Sequence, residues 1–236
     1  MLLSLGSAVL LFATYYVLFK DRLQALCFSY TNIAWLGFPI AIALFGPEVS
    51  APMIALYIGG SLFGNVWAVT AVSAEAQSFR SILSKVIQSP PVLALFIAAL
   101  LRWIGLQDFP HQQWIDLLYS GSKWGMSFTG MCVLGMWLRH TRVALHDLWV
   151  SARIAVLKML CGAVICGMVY AFFPIPHLPH AIPVLFLLFC LPPAANVVAL
   201  ETHYQGTGSS AKYIAAGTMV SVVIILIYGV ILQFIL

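Results

Sequence analysis

The sequence predicts an all-α integral membrane protein of about eight transmembrane helices, and three observations carry that expectation. Of 236 residues, 62% are hydrophobic and 8% are charged, where an ordinary soluble domain carries roughly 25% charged residues. The apolar residues form runs of about 20, the length at which a helix crosses the hydrocarbon core of a bilayer. Basic residues, finally, collect in alternate breaks between those runs. A soluble chain of this size has too much surface for its volume to hide so much apolar area, whereas lipid accepts it.

Cutting the chain at its polar breaks places spans near 1–19, 23–46, 52–73, 88–106, 114–138, 149–173, 180–202 and 212–236. The first run has no basic residue ahead of it and no small-residue cleavage site, and it stops at Lys20-Asp21-Arg22. It therefore reads as a span and not as a signal peptide. One set of alternating loops holds Lys20, Arg22, Arg80, Lys85, Arg139, Arg142 and Lys212, with Arg153 close by. The other holds Glu48, Asp108 and the uncharged 173–180 turn, with Arg102 as its nearby basic residue. By the positive-inside rule the first set faces the cytoplasm, which leaves both termini outside a cell membrane of the bacterial inner-membrane type. The five cysteines, Cys27, Cys132, Cys161, Cys166 and Cys190, lie in apolar runs without C-x-x-C spacing, so they read as inert buried thiols, with neither a disulfide framework nor a metal site.

The breaks inside the runs carry the chemistry. The second run contains Asn32-Ile33-Ala34-Trp35-Leu36-Gly37-Phe38-Pro39, and the seventh contains Leu191-Pro192-Pro193-Ala194-Ala195-Asn196. Proline removes a backbone donor and clashes with the preceding turn, so each stretch interrupts a helix near mid-membrane depth. Backbone unwound at that depth must face protein or a wet cavity. Either break alone is compatible with a harmless kink, but interrupted segments at corresponding places in two halves point to a transporter's binding site. The halves do correspond: each break is followed by an apolar half-helix, a turn and a glycine-containing span (Gly59-Gly60-Ser61; Gly217-Thr218 with Ser221). The charge-derived orientation sends the two broken spans in opposite directions, so the repeats are inverted. Spans four to eight make one five-helix unit, and spans one to three match only its last three helices.

The stretch 32–46, NIAWLGFPIAIALFG, resembles the fourth-helix signature of the auxin efflux carrier family, which includes bacterial permeases and the plant PIN carriers. The stretch 191–204, LPPAANVVALETHY, is similar to that family's ninth-helix signature, and Ser89-Pro90-Pro91 after a basic loop fits its second half. The resemblance covers essentially the whole chain. It implies a ten-helix carrier whose first two helices are missing here, with a transport domain and a scaffold. Residues 1–73 then form the first half of the transport domain, 74–87 a cytoplasmic loop, 88–138 scaffold helices and 149–236 the second half of the transport domain. It also implies alternating access for a small organic anion, with sodium or a proton as coupling ion and no cofactor. The alternative is a truncated, non-transporting remnant or assembly subunit of the same family. Apart from the lipid bilayer and the substrate, a homodimer is left open as a partner.

The candidate substrate- or ion-binding residues are Asn32, Gly37, Pro39, Lys123, Pro192, Pro193 and Asn196. The half-helix N-termini offer amides and positive potential suited to a carboxylate. Asn32 and Asn196 carry both donor and acceptor atoms, for substrate or for loose backbone. Lys123, beside Ser120, Ser122 and Ser127, sits roughly 13 Å into its span at 1.5 Å per residue. It either faces a cavity and attracts an anion or snorkels to the surface. Arg153 and Lys158 are expected to snorkel, Glu201 to be a solvated helix-end carboxylate or else a coupling-cation ligand, His203 to be a loop residue, and His177 and His180 to be interfacial. No nucleophile elbow, P-loop, HExxH or paired-carboxylate pattern suggests an enzyme, and no aromatic-basic patch suggests nucleic-acid binding. Cysteines introduced at Arg80 or Arg142 should react with an impermeant label only from the cytoplasmic side, and at Ser50 or Pro176 only from outside. Reversed labelling would invert the orientation and remove the inverted-repeat argument.

Overall fold

The computed structural model describes residues 1–64, 67, 80, 84, 87–88, 90–105, 113–173, 181–205 and 208–235. Most of the expected 74–87 loop, and His177, His180 and Pro176, lie outside the described residues. What is described is helical: α1 (Leu2–Phe19), α2 (Arg22–Ser29), a π-turn (Ile33–Gly37) running into α3 (Phe38–Phe45), α4 (Ser50–Phe63), α5 (Pro90–Trp103), α6 (Gln113–His140), α7 (Leu145–Phe172), α8 (Ala181–Cys190), α9 (Asn196–Gln205) and α10 (Ser209–Ile235). Three of these, α1, α7 and α10, are long and apolar enough to cross a membrane.

Those three helices turn large apolar side chains outward and bury small and polar ones alongside apolar ones. The inward stripe of α1 is Ser4, Ser7, Ala8, Leu11 and Tyr15, at the three- and four-residue spacing of one helix face. Its outward face shows Leu10, Val17, Leu18 and Phe19. On α7 the buried positions include Ser151, Lys158 and Gly162, while Val156, Leu160, Val164 and Met168 are exposed. On α10, Thr218 and Ser221 are buried, while Val222, Val223, Leu226 and Ile227 are exposed. Small and polar groups inside with large apolar groups outside suit a helix whose outer face meets lipid.

The packing repeats itself. Helix α1 packs on α2 and α4, and α7 packs on α8 and α10. The first set draws very close at Gly59, where a Cβ would collide with the main chain of Met1. Each half thus sets one long helix against a broken one. The ends also gather: Gln24 Nε2 donates to Tyr213 Oη at 3.1 Å, and Lys212 Nζ lies 3.0 Å from Asp147 Oδ1. The α1–α2 turn and the starts of α7 and α10 therefore share one end of the molecule, the end to which the sequence assigns the basic loops.

Glu201 departs from expectation. It is fully buried and is not a solvated helix end. Oε1 accepts from the amide (2.8 Å) and hydroxyl (2.7 Å) of Ser209, and Oε2 from the amide (2.8 Å) and hydroxyl of Ser210. The carboxylate closes the first turn of α10, where four amides lack helical partners and the dipole favours negative charge. Glu201→Gln should lower unfolding stability by about 2–4 kcal/mol, because an amide nitrogen would then face donors and the buried cap would be broken. Thermal unfolding in detergent checks it; an unchanged Tm would mean that the cap adds no stability.

Candidate functional site

The two broken helices meet at their breaks. Thr31 and Pro193 form an isolated antiparallel bridge. The Asn32 amide donates to the Pro192 carbonyl at 2.9 Å, and the Ala194 amide to the Tyr30 carbonyl at 2.8 Å. In this register the facing pair is the one that exchanges no hydrogen bonds of its own. Pro193 therefore sits where its missing N–H leaves no partner unsatisfied. The antiparallel sense also means that the two chains run in opposite directions as they cross.

The first break lies earlier than the sequence suggests. Helix α2 ends at Ser29, and Asn32 turns the chain at φ −79°, ψ 68°, with the Ile33 amide donating to the Thr31 carbonyl at 2.9 Å, an inverse γ-turn. The helix resumes at Ile33, capped by Asn32, and Gly37 and Pro39 lie where its π-turn passes into α3 and not where the chain opens. A widened turn ahead of Pro39 lets the helix run on past a missing donor. In that turn Gly37 N–H reaches Asn32 O at 3.0 Å. Gly37 has a separate role: a Cβ there would come within 2.7 Å of Leu191 Cδ1, so its bare backbone lets the second break approach. The second break falls where expected, between Cys190 and Asn196.

A cavity of about 110 Å3 opens beside the crossing, lined by Tyr30, Asn32, Trp35, Tyr57, Ser61 and Asn196 among others. Two helix starts face it, the Ile33–Phe45 run and α9. Asn32 is 5% exposed. Its Oδ1 accepts from the Trp35 amide at 3.3 Å, while its Nδ2 has no hydrogen-bond partner among the described residues. A buried amide nitrogen left unpaired is costly, and this one lines a cavity with room for polar guests. Asn196 Nδ2 donates to Tyr30 Oη at 3.1 Å, so it ties the two broken helices together across the cavity. Among the described residues no charged side chain lines it. The arrangement offers neutral donors and helix N-termini, which suits a carboxylate or another small acceptor group.

Of the sequence candidates, Asn32, Gly37, Pro192, Pro193 and Asn196 are brought together, with Pro39 one turn away. Lys123 is not: it lies half-buried on α6 and lines neither cavity at the crossing. Sequence reasoning missed Lys158 and Tyr30. Lys158 does not snorkel; it is 4% exposed, and its Nζ donates to the Leu191 carbonyl at 2.8 Å.

No protein-family model, curated protein or solved structure matches the chain.

Because only the bond to Trp35 would be lost, Asn32→Ala should cost no more than about 0.5–1.5 kcal/mol of stability. Chemical or thermal unfolding of the purified protein measures it. A loss of several kcal/mol would assign Asn32 to the scaffolding of the break and not to the cavity.

Proposed function

We propose that this chain is a secondary transporter of small organic anions that works by alternating access, a permease of the auxin efflux carrier type with about eight spans, inverted repeats and a crossover of two proline-broken helices. One observation carries the reading: two interrupted helices cross antiparallel at their breaks, beside a cavity into which a buried, unpaired amide donor is set. Discontinuous helices whose N-termini point at one polar site are the recurring device by which carriers hold anionic substrates. The matching packing of α1 on α2 and α4 and of α7 on α8 and α10 supports the repeat. The sequence similarities at 32–46 and 191–204 fall on the two breaks themselves, which supports the family. A cell membrane with the basic loops inside is the location that follows from the charge pattern.

In this reading Asn32 and the two helix starts receive the carboxylate. Helices α5 and α6 belong to the scaffold, and α6 touches the π-turn and α10. Lys123 then serves in the gap between scaffold and transport unit and not in the substrate cavity.

The test is uptake into vesicles of a panel of labelled organic acids, with and without sodium and proton gradients. The native protein should accumulate at least one acid. Asn32→Ala should weaken its uptake by about tenfold or more, the worth of a hydrogen bond to a charged group, with membrane insertion intact. Pro193→Ala should reduce uptake more than insertion. A folded native protein that moves no acid of the panel, or an Asn32→Ala variant with native uptake, would overturn the reading.

A further inference from the structure

The break in the second broken helix runs between two cavities. Its later residues, Ala194 to Asn196, line the Asn32 cavity. Its earlier ones, Leu191 to Pro193, line another of about 50 Å3, with Gln24, Ser151, Lys158, Tyr213 and Ser221. The first receives helix N-termini, and the second lies at the carbonyl end of α8. The potential there is negative, and unwound carbonyls in such a place are what carriers use to hold a coupling cation. Here the Lys158 ammonium already holds the Leu191 carbonyl, half-way along the 28-residue α7.

We propose that Lys158 is the coupling-ion site of this carrier: a proton-binding amine tethered where a free sodium ion would otherwise sit, so that transport is driven by protons and is indifferent to sodium. The proposal rests on the transporter reading above. A sodium ion at the Leu191 carbonyl would have to displace the ammonium or share its place against a like charge. One of three N–H donors is spent on Leu191, leaving two for the hydroxyl-lined cavity, which has room for a few waters. Those waters supply a route for the proton. When it leaves, it passes to cavity water, the electron pair stays on Nζ, and the charge-assisted bond to Leu191 becomes an ordinary one of roughly half the strength. The change is felt at once at the substrate cavity, because the next carbonyl along, that of Pro192, accepts from the Asn32 amide. A charge on Lys158 also attracts an anion into the neighbouring cavity, so proton and anion bind together and cross as a neutral pair.

The titratable groups facing Lys158 are Cys27 of α2, Cys190 of α8 and Tyr213 of α10. On α1, Tyr15 donates its hydroxyl at 2.6 Å to Oε1 of Gln24, which lines the cavity. On α7 itself Cys161 lies one turn on. Asp21 and Glu201 act electrostatically on Cys27, and among the described residues no carboxylate lines the cavity. The neutral partners leave Lys158 free to lose its proton without breaking an ion pair. The matching place in the other half, where α1 meets the end of α2, is lined by Ser4, Ser7 and Ser29, with no cation among the described residues. One proton per cycle follows.

Two measurements test this. In the first, Tm is recorded from about pH 5 to about pH 9 for the native protein, Lys158→Gln and Lys158→Arg. The native-minus-variant difference should change through a single step, because only the native protein titrates at this site. A pH-independent offset overturns the proposal. Should the glutamine variant fail to fold, the side-chain nitrogen signal of Lys158 in the native protein, labelled on lysine and assigned through Lys158→Arg, decides the same question. In the second, vesicle uptake of a transported acid should rise about tenfold in accumulation per pH unit of imposed gradient, the equilibrium value for one proton. Sodium should have no effect. In both variants the ratio of gradient-driven to gradient-free uptake should fall to about one. Sodium-driven accumulation, or native uptake that ignores the proton gradient, overturns the Lys158 assignment while leaving the carrier standing. A native protein with no uptake at all overturns the transporter reading instead.

Discussion

The crossing depends on one constraint: backbone opened in an apolar interior must find partners inside the protein. A helix leaves up to four amides unpaired at its N-terminus and up to four carbonyls at its C-terminus, and each break here supplies what the other lacks. Tyr30 offers a carbonyl to Ala194, Asn32 offers an amide to Pro192, and Lys158 reaches in from α7 for Leu191. Two prolines can stand in the second break because they withdraw donors that this geometry would not use. The same constraint makes the unpaired Asn32 nitrogen informative, since nearly everything around it is satisfied.

Around the crossing, packing replaces the hydrophobic drive. Helices whose outer faces meet lipid gain little from burying more apolar area, so close approach and polar contacts hold them together. Gly59 lets α4 approach the start of α1 main chain to main chain. Serines at 4, 7, 151 and 221 keep the inner faces slim. Glu201 and Lys158, the two buried charges among the described residues, each meet a helix end of opposite polarity, the former an N-terminus and the latter a C-terminus.

Much of this was legible in the residues, and the failures have physical causes. Pro192-Pro193 marked its break correctly because a helix cannot absorb two consecutive prolines in its interior. Pro39 misled, because the π-turn ahead of it lets the helix run on past one proline, and the better signal was Asn32, a capping residue ahead of an apolar run. The polar break that sets the start of its span at 149 places Lys158 near a helix end. Helix α7 begins at Leu145, which moves the lysine to the middle, and its acceptor lies 33 residues further on, beyond any local pattern. Glu201 had a visible clue in Ser209-Ser210, two hydroxyl residues opening the next helix, but a carboxylate that caps a helix starting eight residues further on lies beyond the local capping patterns. The pairing of Tyr30 with Asn196 had no sequence signal at all.

The bridge at Thr31 and Pro193 also fixes what can move. Two main-chain hydrogen bonds in opposite directions, with the Tyr30–Asn196 contact beside them, resist both sliding and separation of the two broken helices. A displacement of one drags the other with it, and Lys158 and Glu201 fasten α7 and α10 to the same assembly. In the proposed cycle the halves therefore cannot rock apart at their crossing like jaws. They travel as one piece, with the cavity carried inside it, and the seam that must slip lies along α5 and α6.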